Sequence, residues 1–248
     1  MRNMKNILLF LFVLSGCVGI NVVPPESFSY QEIQTDNYIL ASWKKITDTK
    51  SPIRIYIEGD GYAFNNYGYP TNNPTPRSAF LRNIAFNDPN PNVVYLGRPC
   101  QYVSDNNCSQ TDWTTGRFSQ KIIDSTAQAI KQISGKHPII LIGYSGGALL
   151  SGIVIEQNQN LPIKKWITVA GVLNHKMWTN DLDLPPLTDS VDLITLPNIN
   201  QIHLIGDRDD TVSYKITQSI VAVDDLIIVP NATHNNGYEN YISLIYDK

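Results

Sequence analysis

The chain has 248 residues, of which 42% are hydrophobic and 17% charged, and its formal net charge is −3. That is enough apolar material for one α/β domain with a full core. The mildly acidic balance, with no basic run, gives nucleic-acid binding no electrostatic support.

In chain order, the first segment stands apart. Arg2 and Lys5 precede an apolar run at 7–14, too short to span a bilayer comfortably but of the length of a secretory h-region. It ends in Leu14-Ser15-Gly16-Cys17, which resembles the bacterial lipobox. The resemblance implies removal of residues 1–16, acylation of Cys17 and export to a bacterial membrane surface, the outer membrane in a Gram-negative cell. Each buried methylene of such a lipid contributes ~0.8 kcal/mol, so several acyl chains hold a domain stably. Residues 18–36 are polar, carry Pro24-Pro25 and are expected to form a tether, with the folded domain starting at 37. Setting Cys17 aside leaves Cys100 and Cys108, which an oxidising compartment allows to pair across a short loop.

Short apolar runs bounded by turn residues follow at 53–57, 93–96, 139–142, 166–169, 202–205 and 226–229, with an early edge strand at 38–43. Near-continuous aliphatic runs suit strands covered on both faces, as in a parallel sheet. Phe118, Ile122, Ile123, Ile130 and Ile133 repeat at helical spacing, residues 148–155 predict a mostly apolar helix, and Tyr238, Tyr241, Ile242 and Ile245 form a last stripe. Strands alternating with helices predict one doubly wound α/β domain. Residues 59–92 and 171–200 are expected to be long insertions over a sheet edge, where loops carry function.

The chemistry is concentrated in Gly143-Tyr144-Ser145-Gly146-Gly147, which follows a buried strand and opens a helix. In that setting G-x-S-x-G is a nucleophile elbow: the sharp turn lifts the serine above the sheet, and the helix N-terminus favours negative charge beside it. A serine nucleophile needs a base, and the base an orienting acid. Here the chain resembles the α/β-hydrolase family, in which the order is serine, acid, histidine. The resemblance implies a mostly parallel, doubly wound sheet with a small or absent helical lid. It places the acid at Asp209 in Gly206-Asp207-Arg208-Asp209-Asp210-Thr211-Val212, with Asp207 and Asp210 as rivals, and the base at His234 in the loop after the last strand. Of the other histidines, His137 precedes a strand, His203 lies inside one and is expected to be packed, and His175 is the reserve base.

The same resemblance assigns the oxyanion hole to the backbone N–H of Gly146 and to the loop Glu58-Gly59-Asp60-Gly61-Tyr62, which stands where the family has His-Gly-x-Gly. Asp60 and Gly61 are both possible donors there, and Asp60 is preferred. Glu58 is expected to pair with Arg98 or Arg77 and so hold the loop. Tyr62, Phe64, Tyr67, Tyr69 and Trp113 either line an acyl pocket or anchor the long loop.

The chain carries no dinucleotide fingerprint, phosphate loop or metal-ligand spacing, so no cofactor is expected. The expectation is therefore a serine hydrolase acting on a small or lipid-like carboxylic ester and anchored to a membrane by its N-terminal lipid. A peptidase or thioesterase would use the same residues. A non-catalytic surface-binding lipoprotein is the alternative from a different class.

Overall fold

The computed structural model describes residues 22–247, so the expected signal segment and Cys17 lie outside the described residues. Eight strands form one sheet in the spatial order β1 (Ser29–Gln34), β2 (Ile39–Ile46), β4 (Asn92–Leu96), β3 (Ile53–Ile57), β5 (Ile139–Tyr144), β6 (Ile163–Val169), β7 (Asn200–Gly206) and β8 (Leu226–Val229). β2 runs antiparallel to β1 and β4, and all neighbours from β4 to β8 are parallel.

The aliphatic runs are buried throughout in β3, β4 and β5 because helices cover both faces. Successive side chains point to opposite faces, which divides the core in two. Ile139 and Leu141 pack with α2 (Gln120–Ser134) and α3 (Gly146–Gln157), while Ile140 and Ile142 pack with α1 (Phe80–Phe86) and α6 (Ile242–Tyr246). Helix α2 buries the expected Ile122, Ile123 and Ile130. Helix α3 is buried from Gly146 through Ile155, as an apolar surface on all sides demands.

Three elements fall where loops or a tether were expected. β1 lies within the supposed tether and pairs along its length with β2, although only Ile33 of its six residues is buried. Helix α1 lies in the 59–92 insertion and is anchored by Leu81, Ile84 and Ala85. Helix α4 (His175–Asp181) lies in the second insertion, started by the Asn174 side chain, which accepts a 2.8 Å hydrogen bond from the Met177 amide. α5 (Tyr214–Ile220) follows β7. No helix among the described residues is long and apolar enough to cross a membrane.

The strand order reverses at the middle of the sheet: β4 lies on one side of β3, whereas β6 lies beyond β5 on the other. Loops leaving the carboxyl ends of β3 and β5 therefore diverge, and a crevice opens between them. The segments carrying Asp60 and Ser145 leave those two strands, and those carrying Asp209 and His234 leave β7 and β8.

Candidate active site

Ser145 stands between β5 and α3 with φ 51° and ψ −123°, a backbone conformation that a residue with a Cβ seldom adopts. Such strain costs on the order of 1–3 kcal/mol and persists only where the surroundings enforce it. They do so here: the Ser145 amide donates to the Val169 carbonyl at 3.1 Å, and its own carbonyl accepts from Ala148 and Val172, both at 3.0 Å. The first turn of α3 also presses on the end of β3. A Cβ on Gly147 would stand 2.4 Å from the Ile57 carbonyl oxygen, so glycine is required for this close approach.

The three side chains expected to act together are in contact. Ser145 Oγ lies 3.0 Å from His234 Nε2, and His234 Nδ1 lies 2.9 Å from Asp209 Oδ2. The other oxygen of Asp209 accepts from the Thr211 and Val212 amides, each at 2.9 Å. With its carboxylate already serving as an acceptor, Asp209 takes the Nδ1 proton of His234 into a hydrogen bond. That leaves the Nε2 lone pair for the serine hydroxyl. The Asp209 side chain is completely buried, whereas His234 keeps 19% of its surface open to the cleft. The rivals are elsewhere: Asp207 accepts from the Asn231 amide at 2.6 Å, and Asp210 reaches only Thr211.

The remaining histidines are packed or distant. His203 is buried and shares hydrogen bonds with Thr168 and Gln201. His175, the reserve base, is buried against Phe118, and neither ring nitrogen has a hydrogen-bond partner. His137 sits just before β5, at the opposite end of that strand from Ser145.

The loop after β3 is held differently from the sequence expectation. Glu58 forms no ion pair with Arg98 or Arg77. Its carboxylate turns inward, accepting from the Gly59 amide at 2.9 Å and from the Tyr95 hydroxyl. Burial pushes its pKa up, opposed by those two hydrogen bonds. Arg98 pairs instead with Asp60, and so does Arg117. Burial works to raise the Asp60 pKa, but the guanidinium groups of Arg117 and Arg98 outweigh it and hold it below the usual carboxylate range. Arg98 also donates to the Arg117 carbonyl, and Arg117 Nε donates to the Thr114 carbonyl at 2.7 Å. Gln101 donates to the Gly59 carbonyl at 2.8 Å. The amides of Asp60, Gly61 and Gly146 have no protein acceptor among the described residues.

Arg98 and Gln101 flank Cys100, which is bonded to Cys108 with Cα atoms 5.7 Å apart. The bridge thus secures the turn that braces the Asp60 loop. The sequence offers Arg98 as a brace but with Glu58 as its partner, and nothing in it singles out Arg117 or Gln101. The available signal is a cation placed directly after β4, the strand adjacent to β3.

The cleft above Ser145 and His234 has a volume of about 420 Å³ and is walled by Tyr62, Phe64 and Trp178. Trp178 enters from α4, where the sequence predicted only a loop, and its indole N–H donates to the Thr211 carbonyl at 2.7 Å. Of the aromatic residues proposed for this pocket, Tyr67 and Tyr69 are exposed, and Trp113 is buried with its N–H on the Thr71 carbonyl. Those three anchor or decorate the loop instead of lining the cleft.

No protein-family model and no curated protein matches the sequence. Among solved structures, the chain is similar to Est1E from Butyrivibrio proteoclasticus at 13% identity and a TM-score of 0.59, covering 88% of this chain and 94% of that one. It is similar to an α/β serine hydrolase without a lid from Xanthomonas campestris at 12% identity and a TM-score of 0.55, covering 91% and 93%. A third similar structure is a putative lipase from Acinetobacter baumannii, at 9% identity and a TM-score of 0.59, with 89% of each chain covered. The chain has the α/β-hydrolase fold, with a small or absent lid.

Proposed function

We propose that this protein is a serine hydrolase of carboxylic esters. The observation that carries the proposal is the unbroken contact from Ser145 Oγ through His234 to the buried Asp209, set at a strained strand-to-helix turn. His234 Nε2 takes the hydroxyl proton as Ser145 Oγ bonds to the ester carbonyl carbon. The carbonyl oxygen becomes an oxyanion, received by the amides of Asp60 and Gly146. Collapse breaks the bond to the leaving alkoxide, which receives the proton from His234. Water activated by the same imidazole then releases the acid from the acyl-enzyme.

An ester is favoured over an extended peptide by the shape of the site. A cleft of about 420 Å³ between aromatic walls receives a short acyl or aryl group. A fluorophosphonate probe tests the nucleophile: labelling is expected in the folded wild type and absent in Ser145→Ala. Rates on esters, thioesters and peptide amides separate the three hydrolase chemistries. A folded wild type that neither labels nor turns over any of them would support the binding-lipoprotein alternative.

The proposal places the enzyme on a membrane surface after export, through acylation of Cys17. Metabolic labelling with an alkyne palmitate analogue is expected to mark the wild type and not Cys17→Ser. Equal labelling of both would remove the anchor.

A further inference from the structure

One cation in the cleft has no counter-charge among the described residues. Arg98 and Arg117 are committed to Asp60, and Glu58 is turned away into hydrogen bonds with Gly59 and Tyr95. Arg77 lines the same cleft as Ser145 and His234, is exposed, and has no ion-pair partner among the described residues. Its guanidinium carbon lies 3.4 Å from the centroid of the Tyr62 ring, which is stacking distance. Stacking restrains the guanidinium plane and leaves its edge donors free, the arrangement that accepts a carboxylate through two parallel hydrogen bonds. The free charge of the cleft is therefore positive, in a chain whose net charge is −3.

We propose that the preferred substrates are half-esters of short dicarboxylic acids, with Arg77 receiving the free carboxylate while Ser145 attacks the ester carbonyl. This rests on the Ser145 hydrolase reading. The acyl carbon–oxygen bond breaks, His234 returns the proton to the departing alcohol, and water releases the dicarboxylate. Tyr62 holds the guanidinium plane, and Phe64 and Trp178 cover the methylenes between the two ends.

The test compares kcat/KM for monoethyl succinate, glutarate and adipate with that for ethyl esters of monocarboxylic acids of the same chain length. At least one half-ester is expected to be preferred by wild type. The ratio of half-ester to neutral ester should fall about tenfold in Arg77→Gln and be partly kept in Arg77→Lys. Glutarate should slow fluorophosphonate labelling of wild type and have less effect on Arg77→Gln. Ser145-dependent turnover with no preference for half-esters, or with the same ratio in Arg77→Gln, would overturn this inference and leave the hydrolase reading standing. Turnover and labelling that do not depend on Ser145 would overturn both.

Discussion

The carboxylate of Asp60 lies directly against Gly146: a Cβ added at Gly146 would stand 2.1 Å from Asp60 Oδ1 and 2.9 Å from Arg98 Nη1. Two guanidinium groups grip the carboxylate, so it cannot swing aside cheaply. In Gly146→Ala the first turn of α3 and the Asp60 loop must separate, which moves both proposed oxyanion donors. The expected loss in kcat is about 10²–10³-fold, the effect of removing one such donor, with the far-ultraviolet circular dichroism retained. Normal kcat in Gly146→Ala would show that the gap between Asp60 and Gly146 is not part of the catalytic geometry.

Asp209 and Asp207 offer a matched pair of substitutions. Asp209→Asn keeps the side-chain shape but places an N–H donor or a weaker acceptor opposite His234 Nδ1, so the imidazole loses the tautomer that can accept from Ser145. A fall in kcat of about 10³–10⁴-fold is expected from that change alone. Asp207 touches only the Asn231 amide, and Asp207→Asn should stay within about threefold of wild type, as surface changes away from a site do. Steady-state kinetics of the two variants decide between the carboxylates.

The sequence makes some of this legible for a physical reason. Ser145, Asp209 and His234 each sit just past a short aliphatic run, and those runs are parallel strands, fully buried in β5, largely buried over 202–205 of β7 and half-buried at the sheet edge in β8. β1 escapes notice because an edge strand held by backbone pairing needs little hydrophobic pattern: of Ser29–Gln34 only Ile33 is buried. Helix α1 escapes it because seven residues without a capping side chain give no start or stop signal. The Arg98–Asp60–Arg117 brace joins the loop after β3 to both ends of the long connection between β4 and α2, and no local spacing records such a contact. Trp178 is hidden with its helix, because α4 is short and lies in an insertion rich in Asp, Leu and Pro.

The Cys100–Cys108 bridge is expected to matter for both stability and rate. Its partners are eight residues apart, and closing so short a loop stabilises by about 2–3 kcal/mol in the chain-entropy account. The Cys100→Ala, Cys108→Ala double variant should lose about that much unfolding free energy, seen as a lower urea midpoint. Because Arg98 and Gln101 flank the bridge, kcat measured well below the unfolding midpoint should fall as well. A stability loss with an unaltered kcat would show that the turn after β4 keeps its form without the bridge.

Acid should weaken the fold in two stages. Burial pushes the pKa of His203 from 6.5 down to about 4, so the unfolded chain binds a proton that the folded chain refuses. This contribution is complete above pH 6.5 and is lost as pH falls towards 4, at 1.36 kcal/mol per unit, or about 3 kcal/mol in all. Burial lowers His175 as well, so its contribution too is present above pH 6.5 and is lost as pH falls. Asp60 follows the same linkage at lower pH, since burial works to raise its pKa but Arg117 and Arg98 hold it down; its contribution is present above pH 3.8 and is lost below that. Urea midpoints measured from pH 7 to pH 3 should show a shallower first slope in His203→Gln, with the second stage unchanged. An identical first slope would place the proton uptake elsewhere.

The brace can be tested by removing its charges one at a time and then together. Arg98 carries half of the positive charge facing Asp60, and its Nη1 lies beside Gly146, where the oxyanion is proposed to form. Arg98→Met leaves a carboxylate with one counter-charge next to developing negative charge, and breaking one partner of a buried pair costs more than the pair is worth. A loss of about ten- to a hundredfold in kcat is expected, with a smaller effect on KM, because the repulsion grows as the oxyanion forms. Asp60→Asn in the Arg98→Met background removes the negative charge beside the oxyanion while keeping the backbone amide, and Arg117 then restores the single excess positive charge of the wild type, so part of the lost rate should return. A purely architectural brace would behave differently: the two changes would each cost rate, and the double variant would be slower than either. Comparing kcat in this four-enzyme cycle therefore separates charge compensation from simple support of the loop.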